Sequence, residues 1–433
     1  MTICILGTGY VGLTLGVTLA DVGFNVIGVD IKPDVVEALN RGIPRIVEPH
    51  LEFLLRKHLR KRLWFYTEIP ENDDIDAYII AVPTPIDDRK MPINDYIINS
   101  ITDVAKHLKK GDLVVLRSTV TVGTTRKITA RVIENQTGLV AGQDYALVFA
   151  PERTAEGVAL KELRALPQII GGIDEESINR AASIFGKVTN TIIRLSSLEA
   201  AEIIKLFDNV YRDVSIALGN QFGLACEKLG LDAYEVINAA NMNYGRNKIM
   251  YPGSNVGGGC LPKDPYIFLY PFEDADFPLI RLARKINESM PMHVVELIRD
   301  AFKEMHEEIK GAKILLLGFG FKGEPETGDT RLTAAIDVCR ELGAEGAILY
   351  GSDPVVVDEE IKRIGAIPCS MEEGCRDADC IVVLNNHKAW SEINLEELSQ
   401  VMKNPAAVID GWGILGKSEV KNLGMIFRGV GNG

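Results

Sequence analysis

Residues Asn255–Asp264 read Asn-Val-Gly-Gly-Gly-Cys-Leu-Pro-Lys-Asp. Gly257, Gly258 and Gly259 strip side chains from the backbone just ahead of Cys260, so a ligand can approach the main chain closely there. Pro262 stiffens the exit, and Lys263 and Asp264 bring charge within a few residues of the sulfur. A thiol beside a lysine, on a loop open to a ligand, is where a lowered thiol pKa and a nucleophilic role are expected. A structural cysteine in a turn would satisfy the same residues, since a thiol without chemistry is a small hydrophobe. The rest of the chain decides between the two.

A second set of residues lies at the start. The apolar run at residues 2–6 leads into Gly7-Thr-Gly9-Tyr10-Val11-Gly12 and an amphipathic segment to about Val22. Phe24–Val29 then reads as a second strand ending in Asp30, 18 residues beyond Gly12. This is GxGxxG after a strand and opening a helix, with an acid where a ribose would be. Its glycines let a pyrophosphate approach the helix N-terminus. Asp30 would accept from the ribose hydroxyls and repel a 2′-phosphate, which favours NAD over NADP.

Elements that position these residues follow in βα alternation. Strands are expected at Ala77–Val82, Leu113–Leu116 and Tyr145–Phe149, with helical patterns such as Ile97–Leu108 between them, hence a parallel doubly wound sheet. Ligands in such sheets bind outside the carboxyl ends of the strands. Thr84, Thr119 and Glu152, just past three strand ends, should therefore line one cleft, although Pro and Thr are also ordinary turn residues. Further strands near Gln168–Gly171 and Thr191–Leu195 precede a helix from Leu198 to about Leu229 that Ser197 can cap. Lys205 and Asn209 share one face of it. So long a helix should bridge domains and supply a subunit interface.

A third unit begins at Lys313-Ile-Leu-Leu-Leu, followed by Gly318-Phe-Gly320-Phe-Lys-Gly323, with strands at Ala347–Tyr350, Cys380–Leu384 and Ala407–Ile409. It reads as a second nucleotide-binding unit or a structural duplicate. The fold class is thus α/β: two Rossmann-like doubly wound domains, 1–196 and 301–433, joined by a long helix and a small helical domain over 197–300.

At 433 residues the chain is too long for one core, and its 46% hydrophobic and 25% charged content is that of a folded protein. A net charge of −13 argues against nucleic acid but leaves room for an anionic small molecule bound by local lysines. Seven cysteines without a CxxC pair fit reduced thiols better than a disulfide framework or a zinc site. Six histidines lack metal-ligand spacing, no apolar run suffices for a membrane helix, and Met1 leads straight into a strand. A cytoplasmic enzyme without metal is expected.

Seven motifs now stand in order: GTGYVG, VPTP, STVTVGT, PERTAEG, KLFDN, GGGCLPKD and GFGFKGEPETGDTR. Together they make the chain resemble the UDP-glucose/GDP-mannose dehydrogenase family over essentially its whole length. The resemblance implies oxidation of a sugar C6 alcohol to a carboxylate, with two hydrides passed in turn to NAD. Cys260 would attack the intermediate aldehyde to form a thiohemiacetal. Loss of the second hydride leaves a thioester, which water hydrolyses.

The same resemblance assigns roles residue by residue. Lys205 matches the lysine facing the reacting oxygen, and Asn209 a second donor to it. Asp264 and Thr119 match the pair that positions a water near C6, and Glu152 the carboxylate linked to thioester hydrolysis. Lys322 and Arg331 match basic residues of the last domain that face the substrate phosphates. The backbone at Gly257, Gly258 and Gly259 would approach the sugar or nucleotide. After the Pro-Glu pair, Arg153 resembles members acting on UDP-N-acetylhexosamines, whereas Glu156 resembles the glucose enzymes; the balance favours an N-acetylated sugar. A homodimer through the long helix is expected. Two rival readings use the same fold: a two-electron hydroxyacid-type dehydrogenase, which has no need of Cys260, and a non-catalytic nucleotide-binding protein.

Overall fold

A computed structural model describes residues 1–71, 74–272 and 276–433. The chain forms two compact units, one of 1–208 with 266–276 and one of 209–265 with 277–433.

The first unit is built on eight strands: β1 (Thr2–Leu6), β2 (Asn25–Val29), β3 (Leu63–Tyr66), β4 (Ala77–Ile80), β5 (Leu113–Leu116), β6 (Ala146–Phe149), β7 (Gln168–Gly172) and β8 (Ile192–Leu195). Their order is β3-β2-β1-β4-β5-β6-β7-β8. The chain reverses direction across the sheet between β1 and β4, so the loops after these two strands flank the crevice where such folds bind ligands. All pairings are parallel except β6 with β7, where Val148 faces Gly172. The wholly parallel sheet expected from βα alternation is corrected at that junction: the short helix Ala159–Ala165 returns β7 in the opposite sense. Ile3, Val26, Ile79, Val115 and Val148 are buried in one face's core, and Cys4, Ile80, Val114 and Leu147 in the other's. Burial on both faces explains why these strands read as continuous apolar runs.

The second unit carries β9 (Lys313–Leu317), β10 (Ile348–Ser352), β11 (Ile367–Pro368), β12 (Cys380–Val383), β13 (Ala407–Asp410) and β14 (Ile426–Gly429), all parallel, in the order β11-β10-β9-β12-β13-β14. This repeats the first six positions of the other sheet. The loops after β1 and β9 are also held alike. Asp30 accepts from Thr8 N at 3.1 Å and Thr8 Oγ1 at 2.9 Å, while Asp353 accepts from Phe319 N at 2.6 Å and Gly320 N at 3.1 Å. The duplication ends there. The first loop opens directly into the helix Tyr10–Asp21, whereas the second runs on to a helix that begins only at Ala334. Gly318–Gly323 is therefore no helix-opening phosphate turn.

The helix Leu198–Leu229 has the limits read from the sequence, and Ser197 Oγ accepts from Ala200 N at 3.1 Å. It starts in the first unit and ends in the second. Within the second, its buried Asp213 meets Arg284 and Asn287 of the helix Pro278–Met305, with Asn287 Nδ2 2.8 Å from Asp213 Oδ1.

Candidate active site

In the first unit the dinucleotide cradle is formed by backbone. Gly7 has φ +89°, and a Cβ on Gly12 would stand 1.8 Å from Gly7 O, so neither position accepts a side chain. A Cβ on Gly9 would meet nothing within 4 Å, which leaves the helix N-terminus open to a ligand. Thr84, after β4, is buried with its Oγ1 lacking a hydrogen-bond partner, as a hydroxyl awaiting a ligand would be. Thr119, after β5, is half-buried. These residues fit a dinucleotide lying across the β1/β4 crevice.

Tyr10 does more than open the helix. Its hydroxyl donates to the Glu48 carboxylate, and Gly157 N donates to both, at 2.8 Å each. Burial first, then the hydrogen bond and charge of Glu48, push the phenol well above its usual range. The clasp ties the cradle to the loop carrying Glu152, Arg153 and Glu156, and the Glu156 charge is itself felt at Tyr10.

Glu152 is buried. Its Oε1 accepts from Arg153 N and Thr154 N at 2.7 Å, and its Oε2 takes the Arg117 guanidinium. Burial alone would raise this carboxyl's pKa. Arg117, the Thr154 N–H and the charge of half-buried Lys205 outweigh it and hold the pKa below the ordinary value. Arg153 turns its own guanidinium to Pro167 O at 2.8 Å and lies 3.6 Å from Asp208. The loop bearing Thr119 is pinned by buried Glu202, which accepts from Gly123 N at 2.5 Å and from Thr125 N and Oγ1 at 2.8 and 2.6 Å.

In the second unit Cys260 is exposed on its loop. Two amides past it, Lys263 N and Asp264 N, return to Cys260 O at 3.1 and 2.9 Å and fold the segment into a turn. Asp264 is fully buried between Asn209 Nδ2 and Lys263 Nζ, each 2.5 Å from a different carboxylate oxygen. Asn209 and Asp264, distant in sequence, are thus brought together. Lys205 precedes Asn209 by one turn of the same helix. The lysine beside the thiol in sequence spends its charge on Asp264.

The three glycines are occupied by the chain itself. Gly258 N donates to Arg331 O at 2.8 Å, a Cβ on Gly257 would meet Leu332 O at 2.3 Å, and one on Gly258 would meet the Phe321 ring at 2.9 Å. Their close approach is to the loop after β9, which carries Lys322 and Arg331. That loop is thereby seated on the residues leading to the thiol. Arg331 also pairs with Asp329 at 2.5 Å, and Lys322 Nζ lies 5.7 Å from the Phe321 ring centroid.

Sequence reasoning missed Arg117, Glu48, Glu202 and Arg284. Each is a buried charge whose partner is far away in the chain. Arg284, 1% exposed, pairs with Asp213 and donates to Leu261 O at 3.3 Å, next to the thiol. The local signal open to a reader was a charged residue inside an apolar run, as at Arg117. Among the described residues no cluster of His, Cys, Asp and Glu could hold a metal, and no helix is long and apolar enough to cross a membrane.

A dinucleotide cradle with an acid after its second strand and, elsewhere in the chain, an exposed thiol turn closed by a buried carboxylate define a dinucleotide-dependent oxidoreductase with a thiol at its disposal. Three comparisons make the class specific. The UDP-glucose/GDP-mannose dehydrogenase family matches with its NAD binding domain over residues 1–189, its central domain over 199–289 and its UDP binding domain over 315–417. A UDP-N-acetyl-D-mannosamine dehydrogenase of Pyrococcus horikoshii is 36% identical over 436 residues, all of both chains. The solved structure of the UDP-D-ManNAc dehydrogenase from that organism covers all of both chains with a TM-score of 0.92. A UDP-glucose dehydrogenase from Pyrobaculum islandicum, 27% identical, covers 100% of this chain and 98% of its own with a TM-score of 0.88. The chain belongs to the UDP-glucose/GDP-mannose dehydrogenase family. It is an NAD-dependent nucleotide-sugar dehydrogenase.

Proposed function

We propose that the chain oxidises the C6 alcohol of a UDP-N-acetylhexosamine, such as UDP-N-acetylmannosamine, to the carboxylate. Exposed Cys260, on the turn that buries Asp264 against Asn209, carries this reading. NAD supplies the acceptor for each of two hydrides. Gly7, Gly9, Tyr10, Val11, Gly12, Asp30, Thr84 and Thr119 hold and orient it.

Lys205 and Asn209 donate to the C6 oxygen as charge develops on it. Cys260 adds to the C6 aldehyde, its thiol proton leaving, and the thiohemiacetal keeps the reactive carbonyl bound. Departure of the second hydride leaves a thioester at Cys260. Water, in this reading positioned by Asp264 and Thr119 and relieved of a proton by Glu152, splits it to the carboxylate and regenerates the thiol. Lys322 and Arg331 take the pyrophosphate, with Arg the bidentate partner. Arg153 and Glu156 border the sugar. In this reading residues 1–196 serve NAD, 197–300 link and dimerise, and 301–433 serve UDP; the division is functional, since the helix Pro278–Met305 runs through its second boundary.

The names of similar proteins support the N-acetylated sugar, as does Arg153. Glu156 favours a second reading, UDP-glucose as substrate. A panel of UDP-N-acetylmannosamine, UDP-N-acetylglucosamine, UDP-N-acetylgalactosamine and UDP-glucose, followed by NADH absorbance, separates them. The reading requires two NADH per sugar; one NADH would return the chain to simple dehydrogenases.

A homodimer belongs to the same proposal. Phe207, Tyr211, Leu218, Phe222 and Leu229 are exposed along the long helix, Tyr211 at 71% and Leu229 at 72%. Spaced 4, 7, 4 and 7 residues apart, they lie within about 60° of one another around the helix. A second copy presenting the same stripe would cover it, and two-fold pairs are the commonest closed assembly. Sedimentation as a monomer at micromolar concentration would count against it. We also expect the protein to work in the cytoplasm.

A further inference from the structure

Arg117 follows β5 directly and is 2% exposed. One terminal nitrogen, Nη1, donates to Ala150 O at 3.0 Å and to Gln168 Oε1 at 3.1 Å, and the other, Nη2, donates to Glu152 Oε2. Gln168 Nε2 in turn donates to Pro151 O at 3.2 Å. Residues 150, 151 and 152 are therefore each held by Arg117 or by its neighbour Gln168. The guanidinium also lies 5.5 Å from the Phe185 ring centroid, which leaves it little freedom to turn.

We propose that Arg117 is a positioning residue: it aims the Glu152 carboxylate and supplies its counter-charge. The inference rests on the role given above to Glu152. A guanidinium removed from water is costly unless a carboxylate meets it in good geometry, and Glu152 is the carboxylate it meets. Were the pair only a clamp between strand ends, the bonds to Ala150 O and Gln168 would already serve. The additional arm ends on the side chain at the carboxyl end of β6, where a ligand of this fold would lie.

Lys205, from the long helix, acts on Glu152 through space, and the Arg153 guanidinium points to Pro167 O and Asp208. Without Arg117 the burial of Glu152 would be opposed by two backbone amides and Lys205. Protonation would then reach higher pH, and the carboxylate would lose one of its two fixed oxygens. Lysine at 117 would restore charge but not the fork of donors.

The test uses the full chain and compares wild type with Arg117→Gln, Arg117→Lys and Glu152→Gln. Turnover on UDP-N-acetylmannosamine with NAD is measured against pH, together with melting temperature and a carbon-13 titration of labelled glutamate carboxyls, assigned through Glu152→Gln. In Arg117→Gln the acid limb of kcat and the Glu152 resonance should both move up by about one pH unit or more, with kcat at pH 7 down about tenfold and KM changed less. Arg117→Lys should keep the limb near its original position while kcat stays low. A lower melting temperature with an unmoved limb and resonance would make Arg117 structural and overturn the inference. If Arg117→Gln does not fold, wild-type kcat in Arg117→Lys would overturn it equally. Normal turnover in Glu152→Gln would instead remove the role of Glu152, while the resonance would still report whether Arg117 governs its charge.

Discussion

The guanidinium of Arg331 lies against the α-carbon of Gly259, so close that a Cβ there would stand 2.5 Å from Nη1 and 2.6 Å from Cζ. Two residues earlier, a Cβ on Gly257 would strike main chain instead, 2.3 Å from Leu332 O. These two contacts should fail differently. Gly259→Ala meets the far end of a flexible side chain, so it should leave the melting temperature nearly unchanged. It should raise KM for the UDP-sugar severalfold as Arg331 is displaced. Gly257→Ala must move backbone and should cost about 1–3 kcal/mol of stability. Thermal melts and steady-state kinetics on both variants check this, and equal effects on stability would refute it.

Asp30 holds its loop, since one of its oxygens takes both Thr8 N and Thr8 Oγ1, and in the proposed reading it also meets the ribose of NAD. NAD should be preferred over NADP by about tenfold or more in kcat/KM, because a 2′-phosphate would meet this carboxylate at close range. Asp30→Ala should narrow that ratio and also raise KM for NAD, because Thr8 loses its acceptor. Equal kcat/KM for the two cofactors in wild type would defeat the expectation.

The strands that sequence revealed are those buried on both faces, such as β1, β5 and β12, where apolar runs are uninterrupted. β3, β11 and β14 were not legible. β3 is a four-residue edge strand, β11 has only two residues, and β14 mixes Arg428 and Gly429 into its run. The long helix was readable because Ser197 can cap it and its apolar positions recur at helical spacing. The second GxGxxG marked a second nucleotide-binding unit, which the UDP binding domain match over 315–417 bears out, but its spacing could not show that the next helix begins only at Ala334. Cys260 and Asp264 stood out by residue type and neighbours. Arg117 did not, because its meaning depends on Glu152, 35 residues away.

Arg284 should matter more than any surface ion pair. It is enclosed with Asp213, whose carboxyl burial pushes up and whose charge Arg284 offsets, and it reaches Leu261 O beside Cys260. Removing one member of a buried pair strands the other. Arg284→Met should cost about 3–5 kcal/mol in denaturant unfolding and lower kcat as the thiol turn loosens. A cost below about 1 kcal/mol would show that Asp213 is satisfied without it.

His293 predicts a pH dependence of stability. Burial on its own would lower its pKa, but the hydrogen bond and charge of Glu227, 2.9 Å away, then Glu296, raise it above the ordinary 6.5. A raised folded pKa means that the protonated form is favoured by folding. The contribution is complete below about pH 6.5 and is lost as pH rises through the folded value. The melting temperature should therefore fall over that window in wild type, and His293→Gln should flatten this part of the profile. An unchanged slope in the variant would assign the loss elsewhere.

Cys260 should separate oxidation from hydrolysis. In Cys260→Ala no covalent adduct can form, so a second hydride could come only from hydrated aldehyde, and acid production should fall by several orders of magnitude. In Cys260→Ser the hydroxyl can still capture the aldehyde as a hemiacetal, though it is a far weaker nucleophile at neutral pH. If oxidation proceeds from there, the product is an oxygen ester, which water attacks more slowly than a thioester. Mass spectrometry of Cys260→Ser incubated with UDP-N-acetylmannosamine and NAD should then find the sugar nucleotide attached at residue 260. Wild type, assayed in parallel, should release two NADH per sugar consumed. Near-normal turnover of Cys260→Ala at the same two-to-one ratio would make the thiol a bystander. The second oxidation would then have to run through the hydrate.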